Sequence, residues 1–137
     1  MKLSLKVEYA CQVLAQLGHH FGQMPLPHIE ELAQVEAVPS NYLVQILNEL
    51  RTGGLIVSKR GKQGGYALVR EPKEISIYDV VIAMEGCLLD IPPVGKGASA
   101  ARTDAVWQSI AAELEKKTRE FSIRALMSSE GEEMWYI

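Results

Sequence analysis

The sequence from Ser40 to Asn48 carries polar side chains of the types that contact DNA. Serine, asparagine and glutamine donate and accept hydrogen bonds at base edges and at phosphates. Gln45 is of the type that pairs with adenine through two hydrogen bonds, and Ser40 or Asn41 can hold a phosphate at a helix N-terminus. These residue types and their spacing point to base readout rather than to catalysis.

A second stretch, residues 59–65, combines positive charge with glycine. Glycine lacks a side chain that would keep the backbone away from a duplex. Near the N-terminus, a third group of residues can brace the DNA backbone from another side. The positive charges therefore cluster at three points that one duplex can touch together. The wing residues are Lys59, Arg60, Gly61, Lys62, Gln63, Gly64 and Gly65, and the N-terminal residues are Lys2, Ser4 and Lys6.

The periodicity of apolar residues predicts helices that position the first of these stretches. A helix follows Ser4, and a second runs from about His28 to Glu36. After a break at Ala37–Pro39, a third helix is predicted over Ser40–Thr52, because Leu43, Ile46, Leu47 and Leu50 form one buried stripe. The polar residues must then point away from the core, as in a helix-turn-helix whose second helix enters the major groove.

The basic stretch lies between two predicted strands, Leu55–Arg60 and Tyr66–Arg70. The strands and their turn form a β-hairpin, or wing. Ser76 and Asp79 look like a capping pair that opens a fourth helix. The expected fold is mainly α (α+β), a winged helix-turn-helix domain with a two-stranded wing and a long C-terminal dimerisation helix.

The long helix is predicted over Thr103–Glu120, after a loop rich in Pro, Gly, Ala and Ser. Its length suits pairing with a second copy, although the stripe can also pack on its own domain. Symmetric pairing would place two recognition helices about 34–36 Å apart, one turn of DNA. We expect a homodimer whose interface contains Trp107, Ile110, Leu114 and Phe121.

Composition bounds the function without deciding it. The 137 residues are 47% hydrophobic and 23% charged, which is ordinary for one globular domain. The net charge of −3 is uneven, since residues 1–72 carry seven basic and six acidic residues and residues 73–137 carry seven and eleven. We expect a cytoplasmic protein without a membrane span. The sequence shows no catalytic triad, phosphate-binding loop or metal-ligand cluster, so an enzyme is not expected.

The sequence also resembles the Rrf2 family of bacterial winged helix-turn-helix transcriptional regulators over about residues 1–127. The resemblance is strongest in the wing, and each segment follows the family's order. The segments are Met1–Ser4, Tyr9–Ala10, Ile29–Ala33, Asn41–Leu47, Leu50–Arg51, Gly54–Ile56, Lys59–Leu68, Ile75–Val81, Ala83–Gly86 and Ala105–Trp107.

The resemblance implies DNA contacts from Ser40, Asn41, Tyr42 and Gln45, wing contacts from Arg60 to Gly65, and dimerisation through the long helix. Many relatives carry glutamate where this chain has Val44, a position that faces the groove. Valine cannot accept a hydrogen bond from cytosine but can contact a thymine methyl group. We therefore expect a different operator from that of the glutamate-bearing relatives.

Well-known members of the family bind an iron–sulfur cluster through three cysteines before the long helix, sometimes with a histidine. Here residues 88–106 contain neither residue type, and Ala101 and Asp104 stand where a cysteine and the histidine are expected. We expect no such cluster and no metal site, because one thiolate at Cys87 cannot replace three. Cys87 is a candidate redox sensor, although a buried, inert cysteine is the more common outcome.

We expect four segments: the DNA-binding domain (1–86), a variable loop (87–101), the dimerisation helix with a short closing helix (102–128), and a tail (129–137). The leading hypothesis is a sequence-specific regulator, expected to be a repressor, that binds a pseudo-palindromic operator on double-stranded DNA as a homodimer. A small molecule or partner protein is a candidate regulator through the variable loop. The alternative is a winged-helix module that binds another protein and not DNA.

Overall fold

The computed structural model describes residues 2–128 of the chain. In this range five α-helices, a two-stranded antiparallel sheet and two 3₁₀ turns follow one another. Their bounds are α1 Leu5–His19, α2 Ile29–Glu36, α3 Ser40–Thr52, β1 Ile56–Lys59, β2 Gly65–Leu68, a 3₁₀ turn Pro72–Glu74, α4 Ile77–Glu85, α5 Ala100–Glu120 and a 3₁₀ turn Ile123–Leu126. The predicted tail at 129–137 lies outside the described residues.

The three N-terminal helices begin and end where the sequence predicts. The side chain of Ser4 caps α1 by accepting a hydrogen bond from the Val7 N–H at 3.1 Å. Helix α2 ends at Ala37, whose left-handed backbone (φ 55°) turns the chain. The Val38 N–H then donates to the Ala33 carbonyl, and α3 begins directly after Pro39.

The wing is a hairpin with Ile56 opposite Leu68 and Lys59 opposite Gly65. Both strands are shorter than predicted, because Arg60 already belongs to the turn and only one further hydrogen bond, from Val69 N–H to the Leu55 carbonyl, extends the pairing. The loop before α2 runs beside the wing. Its Leu26 N–H donates to the Gln63 carbonyl, and the Tyr66 N–H donates to the Pro27 carbonyl, both at 3.1 Å. The wing is therefore braced along one edge.

Helix α4 opens with the predicted cap, since Ser76 and Asp79 exchange side-chain to backbone hydrogen bonds of 3.0 and 2.9 Å. The segment after α5 pairs with the entry to this helix. The Ile77 N–H donates to the Phe121 carbonyl and the Ile123 N–H donates to the Ile75 carbonyl, each at 2.8 Å. The predicted closing helix is the 3₁₀ turn at Ile123–Leu126, and it packs on α1.

One hydrophobic core joins α1, α3, the wing, α4 and the closing turn. Burial of aliphatic side chains supplies its stability, at roughly 1.5–3 kcal/mol for each fully buried residue. Ile123 is fully buried, so the segment after α5 contributes to the same core as the N-terminal helices. The core residues are Val7, Ala10, Val13, Leu14, Leu17, Leu32, Val38, Leu43, Ile46, Leu47, Leu50, Leu55, Ile56, Leu68, Ile75, Val80, Met84 and Ile123.

Helix α5 differs from the other helices because none of its residues is buried. It begins at Ala100, three residues before the predicted start at Thr103. Alanine favours helix, and the Thr103 hydroxyl donates to the Ser99 carbonyl at 3.0 Å. In residues 2–128 we find no helix that is both long and apolar enough to span a bilayer.

We expect Gly65→Ala to lower the free energy of unfolding by about 2 kcal/mol or more. The φ of Gly65 is 152°, and a Cβ at this position would overlap the Pro27 carbonyl oxygen. Urea unfolding followed by circular dichroism measures the change. Gly97→Ala is the matched control, because a Cβ there meets no atom within 4 Å. Equal losses in the two variants would contradict this account of the wing.

Candidate nucleic-acid interface

Helix α3 buries one face and exposes another. Its stripe of Leu43, Ile46, Leu47 and Leu50 lies in the core. On the opposite face the predicted contact residues Ser40, Asn41, Val44 and Gln45 are exposed, together with Asn48. The polar residues therefore form one continuous surface, with the Val44 side chain, 47% exposed, among them.

The N-terminus of α3 is suited to an anion. The first-turn N–H groups of a helix have no partner within the helix and lie at the positive end of its dipole. The residue before the helix is Pro39, which makes no side-chain capping bond, and the first turn holds no acidic residue. By contrast, α2 and α4 carry glutamate or aspartate in their first turns. The start of α3 thus remains open to a phosphate from outside.

Tyr42 has a different position from its neighbours on α3. Its ring is half-buried and meets the Tyr9 ring edge-on, with 5.6 Å between centroids. Aromatic pairs of this geometry add about 0.5–1.5 kcal/mol beyond their buried area. Tyr42 therefore fixes α3 against α1, and the contact with DNA that the resemblance implies remains a prediction.

The tip of the wing presents free positive charge. Lys59, Arg60, Gly61, Lys62 and Gln63 are all exposed. No ion pair in residues 2–128 involves the three basic side chains of this tip. Because their charge is not neutralised within that part of the chain, these side chains are available for phosphates.

Gly64 and Gly65 lie where the backbone of the wing packs closely against neighbouring backbone. Both are buried. A Cβ on Gly64 would overlap the backbone of Lys59 and Arg60, and one on Gly65 would overlap Pro27. These glycines allow the strands and the preceding loop to approach closely, whereas Gly61 (φ 103°) lies at the exposed tip with open space around it.

The three predicted DNA contacts near the N-terminus differ in their surroundings, since one is exposed and two bond to other side chains of the chain. Lys2 is exposed. The Ser4 hydroxyl donates to a Glu85 carboxylate oxygen at 2.6 Å while it also caps α1. The Lys6 ammonium lies 3.1 Å from a Glu49 carboxylate oxygen. Ser4 and Lys6 therefore hold α1 against α4 and α3, and a DNA contact from either would compete with these bonds.

Arg51 is a basic residue of this surface that the sequence reasoning missed. Its guanidinium donates to Asn48 Oδ1 at 3.1 Å and to the Ser58 hydroxyl at 3.4 Å. It therefore links the exposed face of α3 to strand β1 of the wing. The three-residue spacing between Asn48 and Arg51 was visible in the sequence, but the bond to the wing depends on the folded chain.

The predicted dimer stripe on α5 is exposed in the single chain. Its exposed fractions run from 37% at Leu114 to 48% at Phe121, with Trp107 and Ile110 between them. More than half of each side chain is nevertheless covered within the single chain, so packing of this stripe on its own domain stays an alternative beside the predicted dimer. Phe121 follows directly after the last residue of α5. The helix is attached on another side, where the Arg119 guanidinium stacks 3.9 Å from the Tyr78 ring centre of α4.

The two cysteines differ in burial. Burial, with a smaller contribution from the nearby Glu8 carboxylate, raises the pKa of the Cys11 thiol to about 11. Cys87 is exposed, so the expectation that it is buried is wrong. The reason is local, because the left-handed backbone of Gly86 (φ 84°) ends α4 and turns the chain outward.

The donor set of the chain does not fit a three-cysteine cluster. The sequence has only two cysteines, one on α1 and one after α4. Within residues 2–128 no three histidine, cysteine, aspartate or glutamate side chains lie together as a metal site. The absence of a cofactor stays a prediction.

Comparison with known proteins decides the family. The sequence model described as "Rrf2: Iron-dependent Transcriptional regulator" matches residues 3–129. The chain belongs to the Rrf2 family. The family resemblance seen in the sequence is thereby confirmed, and the protein is a transcription regulator of a DNA-binding family rather than an enzyme.

Relatives in sequence and in structure agree with this assignment. A candidate HTH-type transcriptional regulator of Mycobacterium tuberculosis is 34% identical over 129 residues, which cover 90% of this chain and 79% of the relative. The solved structure of T. potens IscR superposes with a TM-score of 0.76 at 28% identity and covers 100% of this chain and 93% of its own. The solved structure of CymR of B. subtilis, named the global cysteine regulator of that organism, superposes with a TM-score of 0.78 at 27% identity. It covers 92% of this chain and 95% of its own. These neighbours confirm the winged-helix fold.

In the native protein we expect iodoacetamide to label Cys87 much faster than Cys11. The thiolate is the reactive form, and a pKa of about 11 leaves Cys11 with about one thiolate per thousand thiols near pH 8. Mass spectrometry of labelled peptides measures both rates. Cys87→Ser should leave one slow thiol and Cys11→Ser one fast thiol, and in urea the difference should vanish. Rapid labelling of native Cys87→Ser would contradict the burial of Cys11.

Proposed function

We propose that this Rrf2-family protein is a repressor that binds a pseudo-palindromic operator as a homodimer. The observation that carries the proposal is an exposed polar face on α3, linked to the wing by the Arg51–Ser58 hydrogen bond, beside a wing tip whose basic side chains form no ion pair within residues 2–128. Such a helix reads base edges in the major groove while the wing and the helix N-terminus hold phosphates. Because its target is chromosomal DNA, the proposal also places the protein in the cytoplasm.

Base readout is assigned to the middle of the exposed face. Gln45 is proposed to read adenine through its amide, and Val44 to contact a thymine methyl group. Ser40 and Asn41, at the open N-terminus of α3, are proposed to fix the register by holding a phosphate. Arg51 keeps the helix and wing in one arrangement through Ser58.

The homodimer is proposed to form through the exposed stripe of α5. Apolar residues that are a third to a half exposed along a 21-residue helix would gain stability by packing on a second copy. The C-terminal end of α5 is bonded to the start of α4, so pairing of two α5 helices would set the distance between two recognition helices. A two-fold axis in the protein would then match a two-fold axis in the operator.

The alternative, a module that binds only proteins, has weaker support. An interaction surface for proteins is usually depleted in lysine and rich in aromatic residues at its centre. The α3 and wing surface instead combines small polar residues with three exposed basic side chains. We also propose that regulation proceeds without the three-cysteine cluster of other members.

The direct test of DNA binding is fluorescence anisotropy with promoter DNA from the protein's own gene at several salt concentrations. Lys62→Ala should weaken binding to every sequence and lower the salt slope by about 1, because one phosphate contact is lost. Lys96→Ala removes the same charge from the exposed loop before α5, outside the wing, and should change neither quantity. Salt-independent binding, or equal effects of the two variants, would refute the proposal.

Gln45→Ala should act differently from Lys62→Ala. Loss of a bidentate contact with adenine should cost about 1–3 kcal/mol on the preferred operator and much less on a site mutated at that base pair. A panel of single-base operator variants measures the change in preference. Uniform weakening across the panel would show that Gln45 does not read a base.

Ile110→Glu should convert the proposed dimer into monomers and weaken operator binding by about 100-fold, because the two half-sites are no longer bound together. Analytical ultracentrifugation measures the oligomeric state. Ala112→Glu is the matched control, since Ala112 is exposed and two residues along the helix place it about 200° from Ile110. A dimer that survives Ile110→Glu would show that α5 is not the interface.

A further inference from the structure

The loop before α5 encloses a pocket with the N-terminal half of that helix. Its volume is about 440 Å³, within the range of pockets that hold small molecules. Leu89, Ile91, Pro92 and Val94 form the loop side, and Trp107 belongs to the helix side. The wall is therefore mainly apolar, and two prolines stiffen the loop that forms it.

The charged groups of this pocket are two carboxylates, and its other polar side chain, Thr103, already donates to the Ser99 carbonyl. Asp90 reaches it from the loop and Asp104 from α5, and no basic residue lines it. Within residues 2–128 neither carboxylate takes part in an ion pair or in a side-chain hydrogen bond. The pocket thus carries negative charge that no residue of its lining neutralises, next to an apolar surface.

The remaining component is the indole ring of Trp107. An indole face attracts cations through its quadrupole more strongly than the other aromatic rings do. Two carboxylates, an indole and an aliphatic wall together complement a molecule with an apolar body and a positive charge. A neutral apolar ligand would leave both carboxylates unused, and an anion would be repelled.

We propose that this pocket binds a small organic cation, a primary or substituted amine on an apolar body, as an effector. The ammonium group contacts Asp90 and Asp104, and the apolar body packs on Trp107 and the prolines. The family resemblance places a thiolate-bound cluster in this loop, whereas this chain lines the loop with carboxylates and apolar groups. The effector therefore belongs to a different chemical class.

The effector role rests on the proposed DNA-binding function. Trp107 lines the pocket and also belongs to the exposed α5 stripe. An occupant that shifts Trp107 changes the surface that pairs with the second copy. Because the segment after α5 is bonded to Ile75 and to Ile77, the first residue of α4, that change reaches the DNA-binding domain. Binding of the amine should thus alter operator affinity.

The test is calorimetric titration of the full-length protein with phenethylamine and with phenethyl alcohol, which has nearly the same shape and no charge. We expect the amine to bind at least about tenfold more tightly than the alcohol. Quenching of Trp107 fluorescence, read in a Trp135→Phe background, should report the same binding curve. No amine binding at millimolar concentration, or equal binding of amine and alcohol, would overturn the proposal.

Charge-removing variants locate the site. Asp90→Asn and Asp104→Asn keep the shape of the wall, and each should weaken amine binding by about tenfold while leaving the alcohol unaffected. Glu113→Gln removes a carboxylate from the same helix outside the pocket lining and should have no effect. Ala100→Leu, which fills the pocket, should abolish binding of both probes. Unchanged amine affinity in all three pocket variants would overturn the assignment.

The DNA readout separates the two proposals. Operator affinity is measured with and without saturating amine in the wild type and in Asp104→Asn. Amine binding without any DNA binding would refute the proposed function and leave the pocket assignment standing. DNA binding that amine does not alter, although the amine binds, would refute only the effector role.

Discussion

The arrangement of the whole molecule depends on burial of the aliphatic stripe of α3. Four side chains of this helix, Leu43, Ile46, Leu47 and Leu50, enter the core, and burial of each contributes roughly 1.5–3 kcal/mol. Once these side chains are buried, helical geometry determines which residues of α3 face solvent. The orientation of the polar surface of α3 is a consequence of that packing. The N-terminus of the helix is open for a local reason, because Pro39 makes no side-chain cap and the first turn holds no acidic residue.

The same core also holds the chain segment that follows α5. Ile123 is fully buried between elements of the DNA-binding domain, and two backbone hydrogen bonds join its segment to the entry of α4. The long helix therefore leaves the domain in a fixed direction although none of its own residues is buried. In the proposed dimer, this attachment would couple the exposed face of α5 to the position of α3 in each copy.

Local patterns in the sequence predicted those features that depend on neighbouring residues. The bounds of α3 followed from its stripe and the glycines after it, and the Ser76 cap followed from a three-residue spacing. Features that depend on distant residues could not be predicted in this way. The Lys6–Glu49 ion pair spans 43 positions. The carboxylate-lined pocket likewise exists only because the loop folds back on α5.

The central claim, that two recognition helices act as a symmetric pair on DNA, is tested most directly by selecting the genomic fragments that the purified protein binds and deriving their shared motif. The account predicts an inverted repeat whose half-site centres are about 34–36 Å apart, one helical turn or a multiple of it, and whose mutation in either half weakens binding. A motif without two-fold symmetry, or fragments that share no sequence at all, would contradict it.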